Sequence, residues 1–506
     1  MRPVDEADFP STGLIERWCR RVGEAGYRGT ATAAHATLVD WLESELRDLG
    51  LAVRRDEFAV ERWRPIPEGD LESAAQLSID GLTVPVAGAV PYSRPSVVTG
   101  PIVHLGPDEP ITPANATGRI VVRDFPKLPL TYDYLLDHAL HRSPDTEELR
   151  GKIWDRPGLA DSILHRDLLD AGVAGAAGVV IAFDLPREQV AGYHEPHKGT
   201  HYAVPAAFVG AGERDLLLAS TGRECRLEVT AEVETATTAN LHARLDGRTS
   251  ERAVLITHTD GNTWVQENGI AAMLALATHL ARRPERERSI DFVFTTAHLH
   301  ISREGAARHA AALDGEYDDG EIAYVFPIEH LGVRELAPVA SDDGTGHHLE
   351  FTGDDEVLLW SAGPSAAIRD AVRQAIEHRR LRRVVLLPGL GAPVPGQVPE
   401  IVSFGGLGTL FHMHLLPTTS VLTGPWSLWA PHFGADAIDI DLLRRHTLAI
   451  ADVVATLDTV PRAAVAGEYP AMRRARADGA PVGMDPIPPE FADEHPKHPK
   501  HPMEVS

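Results

Sequence analysis

The 506-residue sequence has only two cysteines, Cys19 and Cys225, and they lie far apart. That excludes a disulfide framework and a thiolate metal site. Long apolar runs are missing too: none approaches the ~18–20 residues needed to span a bilayer. The opening stretch, MRPVDEADFPSTG, is acidic and polar, without the apolar core of a signal peptide. The expectation is a cytoplasmic protein, or a secreted one if a leader has been removed. Positive charge is scarce, with 48 Lys and Arg against 73 Asp and Glu, for a net charge of −25. Such an excess of negative charge disfavours nucleic acid and anionic membranes as partners. A small-molecule or peptide substrate is the expected partner, and the oligomeric state stays open, a homodimer included.

What is present has the composition of a globular protein, 43% hydrophobic and 24% charged. The length exceeds one ordinary hydrophobic core. Four segments follow from texture. Residues 1–64 read as two helices, the second with Leu38, Leu42, Leu46 and Leu49 at helical spacing, followed by a strand. Residues 65–238 alternate short apolar runs with Gly and Pro, as a β-rich inserted module does. Within them DLLDAGVAGAAGVVIAFD reads as a small-residue helix feeding a strand at Val179–Phe183, and 126–165 reads as an excursion or lid. Residues 239–460 alternate strand and helix, the pattern of an α/β fold with a mixed central sheet sandwiched by helices. Residues 461–506 read as an extended tail, whose His495, His498 and His501 are spaced with Pro and Lys.

Chemistry-bearing residues gather where strands end. AVLITHTD brings His258 and Asp260 to one strand end, where α/β sheets place ligand sites. Two residues apart on a strand, they share a face, so one can bind a metal and the other orient it. Glu267 of ENG opens the next helix, where a carboxylate also suits the helix dipole. IDFVFTTAHLH brings His298 and His300 to a second strand end, and AYVFPIEHLG brings Glu329 and His330 to a third. His432 and Asp436 stand four residues apart before the last helix; His412 and His414 read as core or rim residues. Trp426 and Trp429 follow a Pro- and Gly-rich loop, PGLGAPVPGQVPE, expected to lie over the site. His and carboxylate ligands of this kind suit zinc or a related divalent ion.

In this order the motifs resemble those of the zinc exopeptidases of the aminopeptidase Y and glutamate carboxypeptidase type, which carry a protease-associated (PA) domain. The resemblance covers roughly residues 14–458, with 95–235 in place of the PA insertion. It implies an α/β sandwich on a mixed sheet, and in the family two zinc ions are held by five side chains. His258 and Asp260 match its first ligand and orienting carboxylate; His432, with Asp436, matches its last His ligand. Glu267 stands where the family has a metal-bridging Asp, and Glu329 where it has an Asp ligand. His298 and Leu299 replace a Glu-Glu pair that supplies the general base and a ligand. The implied catalytic residues are His298, Asp260 and Glu267. The implied metal ligands are His258, Glu267, His300 (in place of Leu299), Glu329 and His432, holding one or two zinc or other divalent ions. The expected function is a peptidase- or amidase-like hydrolase with a remodelled, mononuclear or dinuclear site. The alternatives are a metal-dependent lyase, cyclase or isomerase on the same fold, or a binding protein without catalysis.

Overall fold

The computed structural model describes residues 3–479 apart from 129, 198, 284, 343, 345 and 390–403. Its centre is a mixed sheet. Five strands run in the order Ala52–Pro65, Ala231–Leu245, Ser289–Thr295, Arg252–His258 and Ile322–Pro327. Parallel bridges Val325–Thr418 and Ile328–Val421 join them to a second group of four: Thr419–Leu422, Leu358–Ala362, Val384–Leu387 and His141–Arg142. The last three strands of this group, Ser289–Thr295, Arg252–His258 and Ile322–Pro327, are parallel, pairing His258 with Thr295 and Ile256 with Pro327. They therefore end at one edge of the sheet, where His258 closes its strand and the loops leaving the other two carry His298 and Glu329.

These strands read as continuous apolar runs because both faces are covered. In Arg252–His258, Ala253 and Leu255 pack into one core and Val254 and Ile256 into another, the alternation of a strand. The first core is shared with helices Thr12–Gly23, Ala33–Asp48, Gly269–Ala281, Ala366–Arg379 and Ile440–Leu457. Gly269–Ala281 is buried on every side from Gly269 to His279, which explains its all-round apolar sequence. The second core is closed by Glu304–Glu316 and Gly408–Met413. The fold is thus the α/β sandwich on a mixed sheet that the strand-helix alternation predicts.

The long strands Ala52–Pro65 and Ala231–Leu245 pair antiparallel from Ala52–Arg244 to Pro65–Ala231. They carry the chain out to an eight-stranded sheet and back. That sheet lies within the segment read as an inserted module. Its strand Gly178–Ala182 follows the helix Pro157–Val173, as the small-residue pattern suggests. The excursion is tied to the main sheet: Arg142 pairs with Val385 on the edge strand. Arg156, buried, donates to Glu356 at 3.0 Å and to Glu335 at 3.2 Å.

Residues beyond 460 are not extended at first. Arg462–Ala466 and Tyr469–Ala477 are helices, because Tyr469 is buried and its hydroxyl meets His412 Nδ1 at 2.9 Å. The His/Pro/Lys stretch with His495, His498 and His501, and most of PGLGAPVPGQVPE, lie outside the described residues. His414 forms an ion-pair contact with Asp314 at 2.9 Å, a packing role like that of His412. Cys19 and Cys225 are both buried and free. Among the described residues no helix is long and apolar enough to cross a membrane.

Candidate metal centre

His258 is the last residue of its strand and is fully buried. Its Nδ1 lies 3.0 Å from the Asp260 carbonyl oxygen, which fixes Nδ1 as the donor and turns Nε2 away as an acceptor. Nε2 faces Glu329 Oε1 at 3.7 Å, and His298 Nε2 faces the same oxygen at 3.5 Å. The His258 and His298 rings are 4.4 Å apart. One ligand atom from each of His258, His298 and Glu329 lies within 4.8 Å of the others. Neither His258 Nε2 nor Glu329 Oε1 has a hydrogen-bond partner among the described residues.

The surroundings hold this group in place. Asp260 accepts from Thr30 Oγ1 at 2.7 Å and from the backbone N–H groups of His298 at 3.2 Å and Leu299 at 2.7 Å. It thereby holds the His258 imidazole through its carbonyl and the backbone of His298 through its carboxylate. Glu329 Oε2 accepts the Leu407 N–H at 2.8 Å. Gly406, at φ +50°, packs against that carboxylate so closely that a Cβ would overlap Oε2. Asn268 donates to the Leu331 carbonyl at 2.6 Å and accepts its N–H at 2.8 Å, pinning the loop that bears Glu329.

The electrostatics are those of a site short of positive charge. Burial pushes the Glu329 carboxyl up to about 7, against the pull of His258 and the Leu407 N–H. Burial, and then the His258 and His197 imidazoles, hold His298 well below the usual imidazole value. Burial opposes a charge on His258, yet its bond to Asp260 and the nearby Glu329 and Glu267 raise its value. Two buried acceptor atoms without donors are costly unless a cation satisfies both. Two imidazoles and one carboxylate are also a ligand set used by catalytic zinc, which keeps one position open. The residues present therefore fit a divalent ion.

Three expected ligands stand elsewhere. Glu267 is fully buried but bonded to Arg28, with Nε to Oε1 at 2.7 Å and Nη2 to Oε2 at 2.8 Å. Both its oxygens are taken by a guanidinium, so it does not join the cluster. His300 is held by Ser302 Oγ at Nδ1 and by the Glu61 carbonyl at Nε2, both at 2.8 Å. Its expected place beside His298 assumes that strand alternation continues; the strand ends at Thr295, and Ala297 has φ 55°. His432 is exposed, its ring against Phe433, and Asp436 is exposed as well. The backbone kinks between them at Gly434. His298, expected as a base, has its Nε2 in the group that could hold a metal ion.

The sequence reading passed over GYHEPHKGTHY, residues 192–202, because it lies in the inserted module. There Glu195, fully buried on its side chain, receives His165 Nε2 at 2.6 Å on one oxygen and contacts His197 Nδ1 with the other. Tyr202 contacts His165 in turn. The His197 ring stacks between His298, at 5.8 Å, and Trp429, at 5.4 Å. Three histidines and a glutamate within eight residues were the available signal. Trp426, the other tryptophan that follows the Pro- and Gly-rich loop, is buried and donates to the Asp155 carbonyl at 3.0 Å.

No protein-family model matches the sequence, and no curated protein matches it. Solved structures do, zinc aminopeptidases and a peptidase M28 precursor among them, and the fold is of the zinc-exopeptidase type. The zinc aminopeptidase BSAP from Bacillus subtilis aligns with TM-score 0.60 at 16% identity, over 88% of this chain and 95% of that one. A peptidase M28 precursor from Shewanella amazonensis aligns with TM-score 0.60 at 18% identity, over 94% and 95%. An aminopeptidase from Aneurinibacillus aligns with TM-score 0.54 at 17% identity, over 94% and 95%. The likeness at these identities is one of fold.

Proposed function

We propose that the protein is a metal-dependent hydrolase of peptide or amide bonds, with a zinc or similar divalent ion held by His258, His298 and Glu329. The observation that carries this reading is the convergence of His258 Nε2, His298 Nε2 and Glu329 Oε1 at the strand ends of a zinc-exopeptidase fold. When bound, such an ion supplies Lewis-acid polarisation of a substrate carbonyl. The chain's own residues do the rest. Asp260 fixes the His258 imidazole and the His298 backbone, and the Leu407 N–H and Gly406 fix Glu329. Glu195 holds His197 at Nδ1, which leaves proton transfer to Nε2 of that ring. His197 and Trp429 cover the buried centre, which favours a small-molecule or short-peptide substrate. The inserted module is read as a PA domain that brings His197 to the site.

The test is release of amino acids from aminoacyl-anilides and dipeptides by metal-loaded protein, beside the His258→Ala variant. Turnover that needs both metal and His258 supports the reading. Absence of turnover by protein that holds metal contradicts hydrolysis and favours the lyase or cyclase alternative.

A further inference from the structure

Three carboxylates are buried around His258, and they are divided between two different kinds of partner. Glu329 keeps an open oxygen beside the two imidazoles. Glu267 is closed by Arg28. Building on the proposed metal reading, we infer that Arg28 is a permanent built-in cation for Glu267, and that it limits the centre to one metal ion per chain.

Arg28 has no exposed surface. Its backbone exchanges both hydrogen bonds with Gly261, at 2.7 and 3.0 Å, in the turn that follows His258. From there its guanidinium grips Glu267 in a bidentate fork; Nη2 also donates to the Thr263 carbonyl at 2.8 Å, and Nη1 contacts the Gly26 carbonyl. Such a fork occupies both carboxylate oxygens. Gly261 lies against the same carboxylate, where a Cβ would overlap Glu267 Cδ, so that side is closed to a ligand as well. Asp260 has no oxygen to spare: one accepts the His298 N–H, the other accepts Thr30 and the Leu299 N–H. The donors left at the centre, among the described residues, are His258, His298 and Glu329. That is enough for one ion with an open position.

Unlike a bound metal ion, this guanidinium belongs to the chain and is not removed by a chelator. Arg28 touches neither ligand group nor solvent; it is a positioning residue. It pairs with Glu267, the carboxylate buried beside the centre.

The experiment is metal stoichiometry by elemental analysis and calorimetric titration with zinc alone, on wild type, Arg28→Ala and the double variant Arg28→Ala/Glu267→Gln. The inference predicts one zinc per wild-type chain even at saturation. In Arg28→Ala, where Glu267 is released as a single free carboxylate, it predicts a second, weaker zinc-binding event, which the double variant loses. Two zinc ions per wild-type chain overturn the inference and leave the metal reading standing. A folded Arg28→Ala protein that saturates at one ion also overturns it. No bound zinc in the wild type overturns the metal reading on which it rests. The wild-type count decides the matter if Arg28→Ala fails to fold.

Discussion

His258 Nε2 and Glu329 Oε1 face each other at 3.7 Å, both buried, and neither has a hydrogen-bond partner among the described residues. The two residues are 71 positions apart and arrive on neighbouring parallel strands. A pair of buried acceptors turned toward one another is stable only with a shared cation or proton between them. The proposed function starts from that pair.

His300 and His432 lie outside the ligand group, so their loss leaves metal binding intact. His300→Ala and His432→Ala are expected to bind zinc with wild-type stoichiometry and within a factor of ~3 of wild-type affinity. Titration calorimetry checks this; a loss of ~10-fold or more in either variant, the range seen for residues that orient ligands, returns that residue to the centre. His300→Ala should still lower stability by about 1–3 kcal/mol, because the Glu61 carbonyl loses a buried partner.

Gly406→Ala places a methyl group against Glu329 Oε2 and a side chain at φ +50°. The backbone strain alone is about 1–2 kcal/mol. The displaced carboxylate should weaken metal binding by ~10–100-fold, as do changes around other metal ligands. Zinc titration reads the affinity and thermal unfolding reads the strain. Unchanged affinity in a folded variant would show that Glu329 does not need the position seen here.

Glu195 is buried between two imidazoles. Burial works against its charge, but His197 and then His165 outweigh it and hold its pKa well below the usual value of 4.5. A depressed carboxylate contributes stability that is present above its unfolded pKa and is lost as pH falls through the folded value. Glu195→Gln should therefore be less stable than wild type near pH 7, by about 3–5 kcal/mol as for other broken buried pairs. The gap should narrow at pH below about 4.5. Denaturant unfolding at several pH values tests the sign; a gap that widens toward acid contradicts it. His197→Ala, by contrast, should lower kcat by ~100-fold or more while zinc stoichiometry stays the same.

Much of the fold was legible in the sequence because parallel strands buried on both faces are short apolar runs with few other readings. AVLITH, IDFVFT and AYVFP each lead into polar residues at the sheet edge, and so His258, His298 and Glu329 could be picked out. The errors came from carrying regular periodicity past the end of an element. His300 was placed by strand alternation, but the strand stops at Thr295. His432 and Asp436 were placed by motif spacing, but Gly434 breaks the turn between them. Arg28 had no local signal at all. It sits in GYRGT between two helices, 239 residues before Glu267, and only the tertiary fold joins the two. Glu195 and His197 carried a local signal in the histidines around them, but His165, His298 and Trp429, which give them their place, belong to other segments.

The most direct measurement is the zinc content of purified wild type, His258→Ala and Glu329→Gln after equilibration with excess zinc and removal of free metal. The predicted result is bound zinc in the wild type and less than a tenth of that content in either variant. Zinc should also raise the wild-type unfolding free energy, by ~2.7 kcal/mol at a hundredfold excess over Kd, and leave the variants unmoved. Equal zinc content in all three proteins, or none in the wild type, would contradict the account.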